Sequence, residues 1–221
     1  DEDANNIKDI NCNNNDNFHN LIELDTIQEL ISLKKSKDLF EFFINNQVNN
    51  EEISSVFDQC FHESIEFYAA LCKEGLLYNN AVAHHKYALY LIFNQKENKT
   101  DVLSNYKEAQ HHLEESIKQG FFKSYFLLSR LNHEVFHNDL AAYNLATEGA
   151  KHEEKCCQCL LGHFISKGIG TEKKFQKGVQ MMLESKEESL YQNFSSDIGL
   201  FYSQIHDQLN ETDKKAFEWF E

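Results

Sequence analysis

The fold is decided by residues 161–185, which read LGHFISKGIGTEKKFQKGVQMMLES. The stretch contains two apolar segments with helical spacing, and a glycine-containing loop separates them. Each segment carries a glycine within its apolar stripe, Gly162 in the first and Gly178 in the second. A glycine inside a helix costs about 1 kcal/mol relative to alanine. The two glycines predict a close crossing of the two helices, because small residues allow two helix backbones to approach.

The second apolar segment recurs elsewhere in the chain. Its copies are separated by 33, 36 and 38 residues and carry a small residue at Ala109, Ala142, Gly178 and Ala216. Three and four positions later each copy has a pair of residues of which at least one is larger, such as Met181-Met182 after Gly178. In the first three copies a further small residue follows at plus seven, at Ser116, Gly149 and Ser185. This spacing predicts one helix type that is present four times.

A different helix type precedes each of these copies. Its clearest examples place Gly162 and Gly199 at equivalent positions, 37 residues apart, and looser examples surround Ala88 and Ser129. Residues 68–75, YAALCKEG, are compatible with either helix type. Short connections between amphipathic helices give antiparallel hairpins. The sequence therefore predicts an all-α chain of helical hairpins with a period of about 36 residues.

These hairpins resemble the Sel-one-like repeat (SLR) family, a branch of the tetratricopeptide superfamily. The repeat at 161–185 has the matching residues Leu161-Gly162, Ile165, Gly168, Gly170, Lys177-Gly178 and Met181-Met182. The next repeat has Ile198-Gly199, Tyr202, Lys215-Ala216 and Trp219-Phe220, without the loop glycines. The resemblance covers residues 83–221 and implies a right-handed α/α superhelix, or solenoid.

The chain divides into three parts by composition and pattern. Residues 1–17 are acidic and rich in asparagine, which predicts a flexible tail. We expect degenerate or capping hairpins at 18–80, where Leu21, Ile22, Leu24 and Ile27 begin a helical pattern and Leu39, Phe40 and Phe43 lie in a second helix. Sel-one-like repeats are expected at 81–221. The last one is truncated at Glu221, so we expect a longer solenoid.

Composition restricts the function. The chain has no proline, eight glycines and a formal net charge of −15, with 36 acidic against 21 basic residues. This charge disfavours binding to nucleic acid and to anionic membranes. No apolar run is long enough for a membrane span, so we expect no direct membrane insertion in this segment. The six cysteines lack paired zinc spacing and are interpreted as reduced core residues. We expect a cytoplasmic location, with the endoplasmic reticulum lumen as the alternative.

One string matches a catalytic motif. Residues 133–137 read HEVFH, the HExxH pattern in which two histidines on one helical face bind zinc and the glutamate acts as general base. The repeat register argues against this role. If Ser129 is equivalent to Gly162, His137 lies past the helix end, and Asn138 or Asp139 caps the next helix. Glu148 and His152 are nominal third ligands.

A second group has residue types that bind metals. His152, Cys156, Cys159 and His163 are spaced by four, three and four residues, which predicts one helical stripe. The outer two would lie about 16 Å apart on a straight helix, too far for one ion. We interpret the group as the buried stripe of its hairpin. The doublets His84-His85 and His111-His112 are expected at the boundary between core and solvent.

The sequence predicts no catalytic, cofactor or metal residues and leaves the protein-binding residues undefined. The leading hypothesis is a non-catalytic scaffold or adaptor that binds another protein or peptide on a concave face lined by the first helices. The resemblance implies the same role, including adaptors in membrane-associated complexes. The alternatives are a zinc metallopeptidase that uses residues 133–137 and a permanent structural subunit of a larger complex.

Overall fold

A computed structural model describes residues 24–93 and 102–185, and these residues are all-helical. Residues 24–32 are helical and are named α1. The helices that follow are α2 (Ser36–Asn45), α3 (Asn50–Glu63), α4 (Ile65–Leu77), α5 (Ala81–Phe93), α6 (Val102–Lys118), α7 (Ser124–Glu134), α8 (Asp139–Lys151), α9 (Lys155–Lys167) and α10 (Phe175–Ser185).

The chain divides into two compact units between Tyr87 and Ala88, within α5. The predicted tail at 1–17 and the repeat around Gly199 and Trp219 lie outside the described residues. The expected domain boundaries remain predictions.

The first unit has a core rich in aromatic side chains. The buried face of α2 carries Leu39, Phe40 and Phe43. At the start of α3, the side chain of Asn49 accepts hydrogen bonds from two backbone N–H groups, which satisfies donors that the helix leaves open. Ser64 alone separates α3 from α4, and its hydroxyl caps α4 by accepting from the N–H of Phe67. These caps position α3 and α4 as an antiparallel hairpin.

A buried charge joins α3 to α5 in this unit. The side chain of Lys86 is only 5% exposed, and its ammonium donates a hydrogen bond to the carboxylate of Asp58. The carbonyl of Lys86 accepts from the hydroxyl of Tyr68, which is itself buried. A buried cation requires a partner of opposite charge, because desolvation otherwise outweighs its interactions. The pair therefore fixes which side of α5 faces α3.

The predicted close crossing in the second unit is confirmed. A Cβ atom built on Gly162 would lie 2.6 Å from the carbonyl oxygen of Gly178, and one built on Gly178 would lie 2.4 Å from the carbonyl oxygen of Gly162. The equivalent crossing of α7 and α8 joins the hydroxyl of Ser129 to the carbonyl oxygen of Ala142 at 2.7 Å. Small residues stand at both crossings because larger ones would separate the helix backbones.

The small residues near the end of the second helix type, such as Ser116 and Gly149, mark a different contact. In each case the small residue packs against the residue eight positions later, at the start of the following helix. A Cβ built on Gly75 would meet that of Ala83 at 2.2 Å, and one built on Gly149 would meet the Sγ of Cys157 at 2.3 Å. The third contact is a hydrogen bond of 2.8 Å from Ser124 to Ser116. This common geometry assigns the ambiguous segment 68–75, which lies in α4, to the second helix type.

One turn geometry ends five of the described helices. In each turn the N–H of a residue with positive φ donates a 5→2 hydrogen bond, and the N–H of the next residue donates a 6→1 hydrogen bond, which defines the Schellman motif. In α8 these bonds run from Glu153 to Ala150 at 3.1 Å and from Glu154 to Gly149 at 3.3 Å. The positive-φ residues are Lys34, Gln47, Asn79, Gly120 and Glu153. Only one of the five is glycine, so these turns are hard to recognise from the sequence.

Candidate functional site

The HExxH string does not lie on one helical face. Helix α7 ends at Glu134, and His137 follows in the left-handed region at a φ of 52°. The Nδ1 of His133 lies 2.7 Å from a carboxylate oxygen of Asp139. The imidazole of His133 also packs edge-on against the ring of Phe164, with the ring centroids 5.4 Å apart. Asn138 caps α8 through the N–H of Ala141. The register prediction for this string is therefore confirmed.

The position of His137 has a structural explanation. With Ser129 equivalent to Gly162, His137 corresponds to Gly170, which also has a positive φ, of 65°. The Cβ position of Gly170 would lie 2.2 Å from the carbonyl oxygen of Asp139. The two residues therefore occupy equivalent turns of successive hairpins, His137 between α7 and α8 and Gly170 between α9 and α10. In the turn between α7 and α8 the second imidazole is beyond the helix that carries the first.

The nominal third ligands have other contacts. Glu148 accepts from the ammonium of Lys151 at 2.6 Å. The ring of His152 stacks on Phe122 with a centroid separation of 3.6 Å. Within residues 24–93 and 102–185, no group of three or more histidine, cysteine, aspartate or glutamate side chains is arranged to hold a metal ion.

The interpretation of four residues as one buried stripe is wrong. His152 is exposed and lies in the turn before α9, because the helix begins only at Lys155. Cys156 is partly exposed, whereas Cys157 and Cys159 are completely buried. Desolvation, followed by the nearby Glu154 charge, raises the pKa of the Cys157 thiol to about 12. The helical spacing in the sequence continues across the turn at residues 152–154, and the absence of glycine and proline there leaves the break between the helices unmarked.

The histidine doublets differ from each other. His84 and His85 are 7% and 9% exposed, so the expected boundary position is wrong for this pair. The Nε2 of His84 lies 3.0 Å from the amide oxygen of Asn79, the positive-φ residue of the preceding turn. The boundary position holds for the other pair, since His111 is exposed and the side chain of His112 is 13% exposed.

A cavity in the first unit was not predicted from sequence. It has a volume of about 320 Å³ and lies between α1 and α3, with the end of α2 and the turn that follows as its floor. This volume is at the lower end of the range for ligand pockets, so it suits one or two side chains of a partner. The apolar lining consists of Leu24, Ile27, Phe42, Val48 and Val56. We name this feature the α1–α3 groove.

Polar side chains complete the lining of the α1–α3 groove. Gln28 and Gln59 face each other across it and exchange two hydrogen bonds, of 3.1 and 2.9 Å, between their amide groups. Glu52 and Ser55 line the groove from α3 and are exposed. Each primary amide has two donor hydrogens and two acceptor lone pairs. The reciprocal pair therefore uses only part of the hydrogen-bonding capacity of the two glutamines.

Comparison with solved structures defines the fold. The chain matches the crystal structure of a protective antigen present in uropathogenic Escherichia coli strains, which is described as displaying an SLR fold. The match has a probability of 1.00 and a TM-score of 0.57, and it covers 83% of this chain.

The chain has an SLR fold. The resemblance read from residues 161–185 is confirmed as a likeness of fold, since the sequence identity is 17%. The chain spans only 39% of the antigen. Neither a protein-family model nor a curated protein matches it. In residues 24–93 and 102–185, none of the helices has the length and apolar composition that a membrane span requires.

Proposed function

We propose that this SLR protein is a non-catalytic scaffold or adaptor that binds a partner protein or peptide on the face formed by the first helices of its hairpins. The observation that carries the proposal is the helical-repeat fold. Repeats of this kind stack like elements side by side, which gives extended surfaces suited to protein partners. In the superhelix that we predict, this face is concave.

Side chains on α7 support this assignment. The guanidinium of Arg130 lies 5.8 Å from the centroid of the Phe126 ring and donates to the carboxylate of Glu134 at 2.7 Å. Arg130 and Glu134 are about half exposed. An exposed ion pair of this kind contributes about 0.3–0.5 kcal/mol, so a partner can replace it at small cost. Arginine beside an aromatic ring is a frequent centre of binding energy in protein interfaces.

Affinity capture of the intact protein from its own cells tests the proposal. The Arg130→Glu variant changes the face of the first helices. Lys151→Glu is its matched control, because Lys151 forms a comparable exposed ion pair with Glu148 on α8, a second helix. We expect Arg130→Glu to lose bound partners and Lys151→Glu to retain them. Equal recovery of every partner by both variants would contradict the proposal.

Two measurements separate the alternatives. Stoichiometric zinc in the purified protein, lost when His133 and His137 are both changed to alanine, would support the metallopeptidase and contradict the scaffold. The geometry disfavours that result, because His137 lies beyond the end of α7. A permanent structural subunit is expected to self-aggregate when isolated, since its apolar interface stays uncovered. An adaptor is expected to elute as a single stable species in size-exclusion chromatography.

A further inference from the structure

The α1–α3 groove combines an apolar interior with walls of a single charge sign. Helix α1 carries Asp25 and Glu29 within residues 24–32, and α3 carries Glu51, Glu52, Asp58 and Glu63. Neither of these two helical segments contains a lysine or an arginine. Glu52 lines the groove itself, and the negative net charge of the two helices creates a negative potential beside it, which attracts cations and repels anions.

Lys34 lies in the turn after α1 and is exposed, and the next two lysines form ion pairs at the start of α2. Lys35 pairs with Asp38 at 3.5 Å, and Lys37 pairs with Glu41 at 3.7 Å. On the other side, Asp58 is the one wall carboxylate that receives the buried ammonium of Lys86. The segments 24–32 and Asn50–Glu63 contain six carboxylates and no lysine or arginine, so their net charge beside the groove is negative. A bound partner with its own positive charges would therefore be favoured over an acidic one.

The interior of the groove adds a requirement for an apolar side chain. Ile27 on α1 and Val56 on α3 are half-buried from opposite walls, and Leu24 is 56% exposed at one end. A volume of about 320 Å³ accepts a leucine, isoleucine or phenylalanine side chain of a partner. When such a side chain is buried, its own apolar surface and that of the groove lining are both removed from water, which is the main favourable contribution to association.

The amide pair across the groove suits a peptide backbone. Gln28 and Gln59 bridge the two walls and keep unused donors and acceptors at the surface of the groove. A peptide bond presents one donor and one acceptor of the same chemical kind. An extended segment that crosses the pair can therefore form hydrogen bonds with both glutamines and place its side chain between α1 and α3.

We propose that the α1–α3 groove binds an extended basic segment of a partner protein, in which one aliphatic or aromatic residue is flanked by lysines or arginines. The proposal rests on the scaffold function above and specifies the chemistry of a partner for one of its surfaces. The aliphatic or aromatic residue fills the groove, and the flanking cations are attracted by Glu52 and by the other carboxylates of α1 and α3. An acidic segment is excluded by charge, and a polar segment lacks the anchor.

The first test uses a fluorescein-labelled nonapeptide, Ser-Lys-Arg-Ser-Leu-Lys-Arg-Ser-Gly, and the intact protein. Fluorescence anisotropy measures its binding at about 50 and about 200 mM salt, because exposed charges are screened as ionic strength rises. Two control peptides change one feature each: asparagine replaces the leucine, or glutamate replaces all four basic residues. We expect binding of the first peptide, about tenfold weaker binding of the asparagine peptide, and none of the acidic one.

Variants locate the binding in the groove. Ser55→Phe places a ring in the groove, and Ser32→Phe makes the same change at an exposed position of α1 outside the groove lining. The triple variant Asp25→Asn, Glu29→Gln, Glu52→Gln removes the charge of Glu52 in the groove lining and two further exposed carboxylates of α1. Its control removes three exposed carboxylates of the second unit, through Glu108→Gln, Glu148→Gln and Glu184→Gln.

We expect Ser55→Phe to weaken binding about tenfold and the groove triple variant to weaken it about fivefold. Both control variants should bind as the unchanged protein does, and circular dichroism melting verifies that every variant is folded. Equal effects of the two triple variants, preference for the acidic peptide, or full binding by folded Ser55→Phe would overturn the proposal. If Arg130→Glu abolishes partner capture while the nonapeptide fails to bind, the scaffold function stands and only the groove assignment fails.

Discussion

The Gly178→Ala variant tests the close crossing of α9 and α10. Helix propensity alone predicts that the alanine stabilises α10 by about 1 kcal/mol. The structure predicts the opposite, because the new Cβ would lie 2.4 Å from the carbonyl oxygen of Gly162 and 2.4 Å from the backbone nitrogen of Ser166. Both neighbouring atoms belong to the backbone and cannot rotate away. The helices must separate by about 1 Å to restore ordinary contact.

The size of the effect follows from the two opposed contributions. Overpacking a core costs about 1–3 kcal/mol, and the upper end applies where backbone atoms are the obstacle. A gap of about 1 Å also weakens the packing of Met182 and Val179, both completely buried beside the crossing. After subtraction of the propensity gain, we expect Gly178→Ala to lower the free energy of unfolding by about 2 kcal/mol.

Urea denaturation followed by circular dichroism measures this change. In thermal melting, a loss of about 2 kcal/mol corresponds to a Tm about 4–8 °C lower for a chain of this size. Hydrogen exchange of residues 155–185 locates the loss in α9 and α10. The control is Lys177→Ala, an exposed change on the same helix, which should stay within about 0.5 kcal/mol of the unchanged protein.

A double variant sharpens the test. Gly162→Ala places a Cβ 2.6 Å from the carbonyl oxygen of Gly178 and 2.9 Å from the backbone nitrogen of Met182. Either new methyl group alone already separates the helices. The second methyl group should therefore lower the free energy of unfolding by less than the first, and the double variant should be more stable than the sum of the two single effects predicts. A Gly178→Ala protein that is about 1 kcal/mol more stable than the unchanged protein would refute the backbone contact.

Three further predictions concern turns and thiols. Gly120→Ala should lower the free energy of unfolding by about 1–2 kcal/mol because φ is 86°; no atom lies within 4 Å of the new Cβ, so the loss comes from backbone strain alone. Glu153→Gly, at a φ of 62°, should instead raise the free energy of unfolding measured by urea denaturation. Between pH 9 and about 12, unfolded thiols ionise while Cys60 and Cys157 stay protonated, with pKa values raised from 9.0 to about 12 by desolvation. The free energy of unfolding should therefore fall as pH rises, by about 1.4 kcal/mol per pH unit for each thiol, and a flat profile would contradict this. Iodoacetamide at neutral pH should label the partly exposed Cys156 well before the buried Cys157, as located by fragmentation of the peptide 156–167 in a mass spectrometer, and equal labelling of the native protein would argue against that burial.

The sequence by itself determined the helical hairpins and the register of their crossings. Gly162 and Gly178 are unfavourable in helices, so their presence at fixed positions in an apolar stripe indicates close packing. The same register correctly placed His137 beyond the end of α7. These inferences succeeded because they depend on local spacing and on residue size, and both are directly visible in a sequence.

Only the tertiary structure decided the turns, the burial of particular side chains and the groove. Lys34, Gln47 and Glu153 adopt a conformation that normally favours glycine, and no local signal in the sequence marks it. The turn at Glu153 separates His152 from α9, so His152 does not belong to the helical stripe predicted for it with Cys156. The α1–α3 groove depends on contacts between segments about 30 residues apart, as in the Gln28–Gln59 pair. Hydrophobic spacing indicates which face of a helix is buried, but it does not specify what that face contacts or which space between helices stays open.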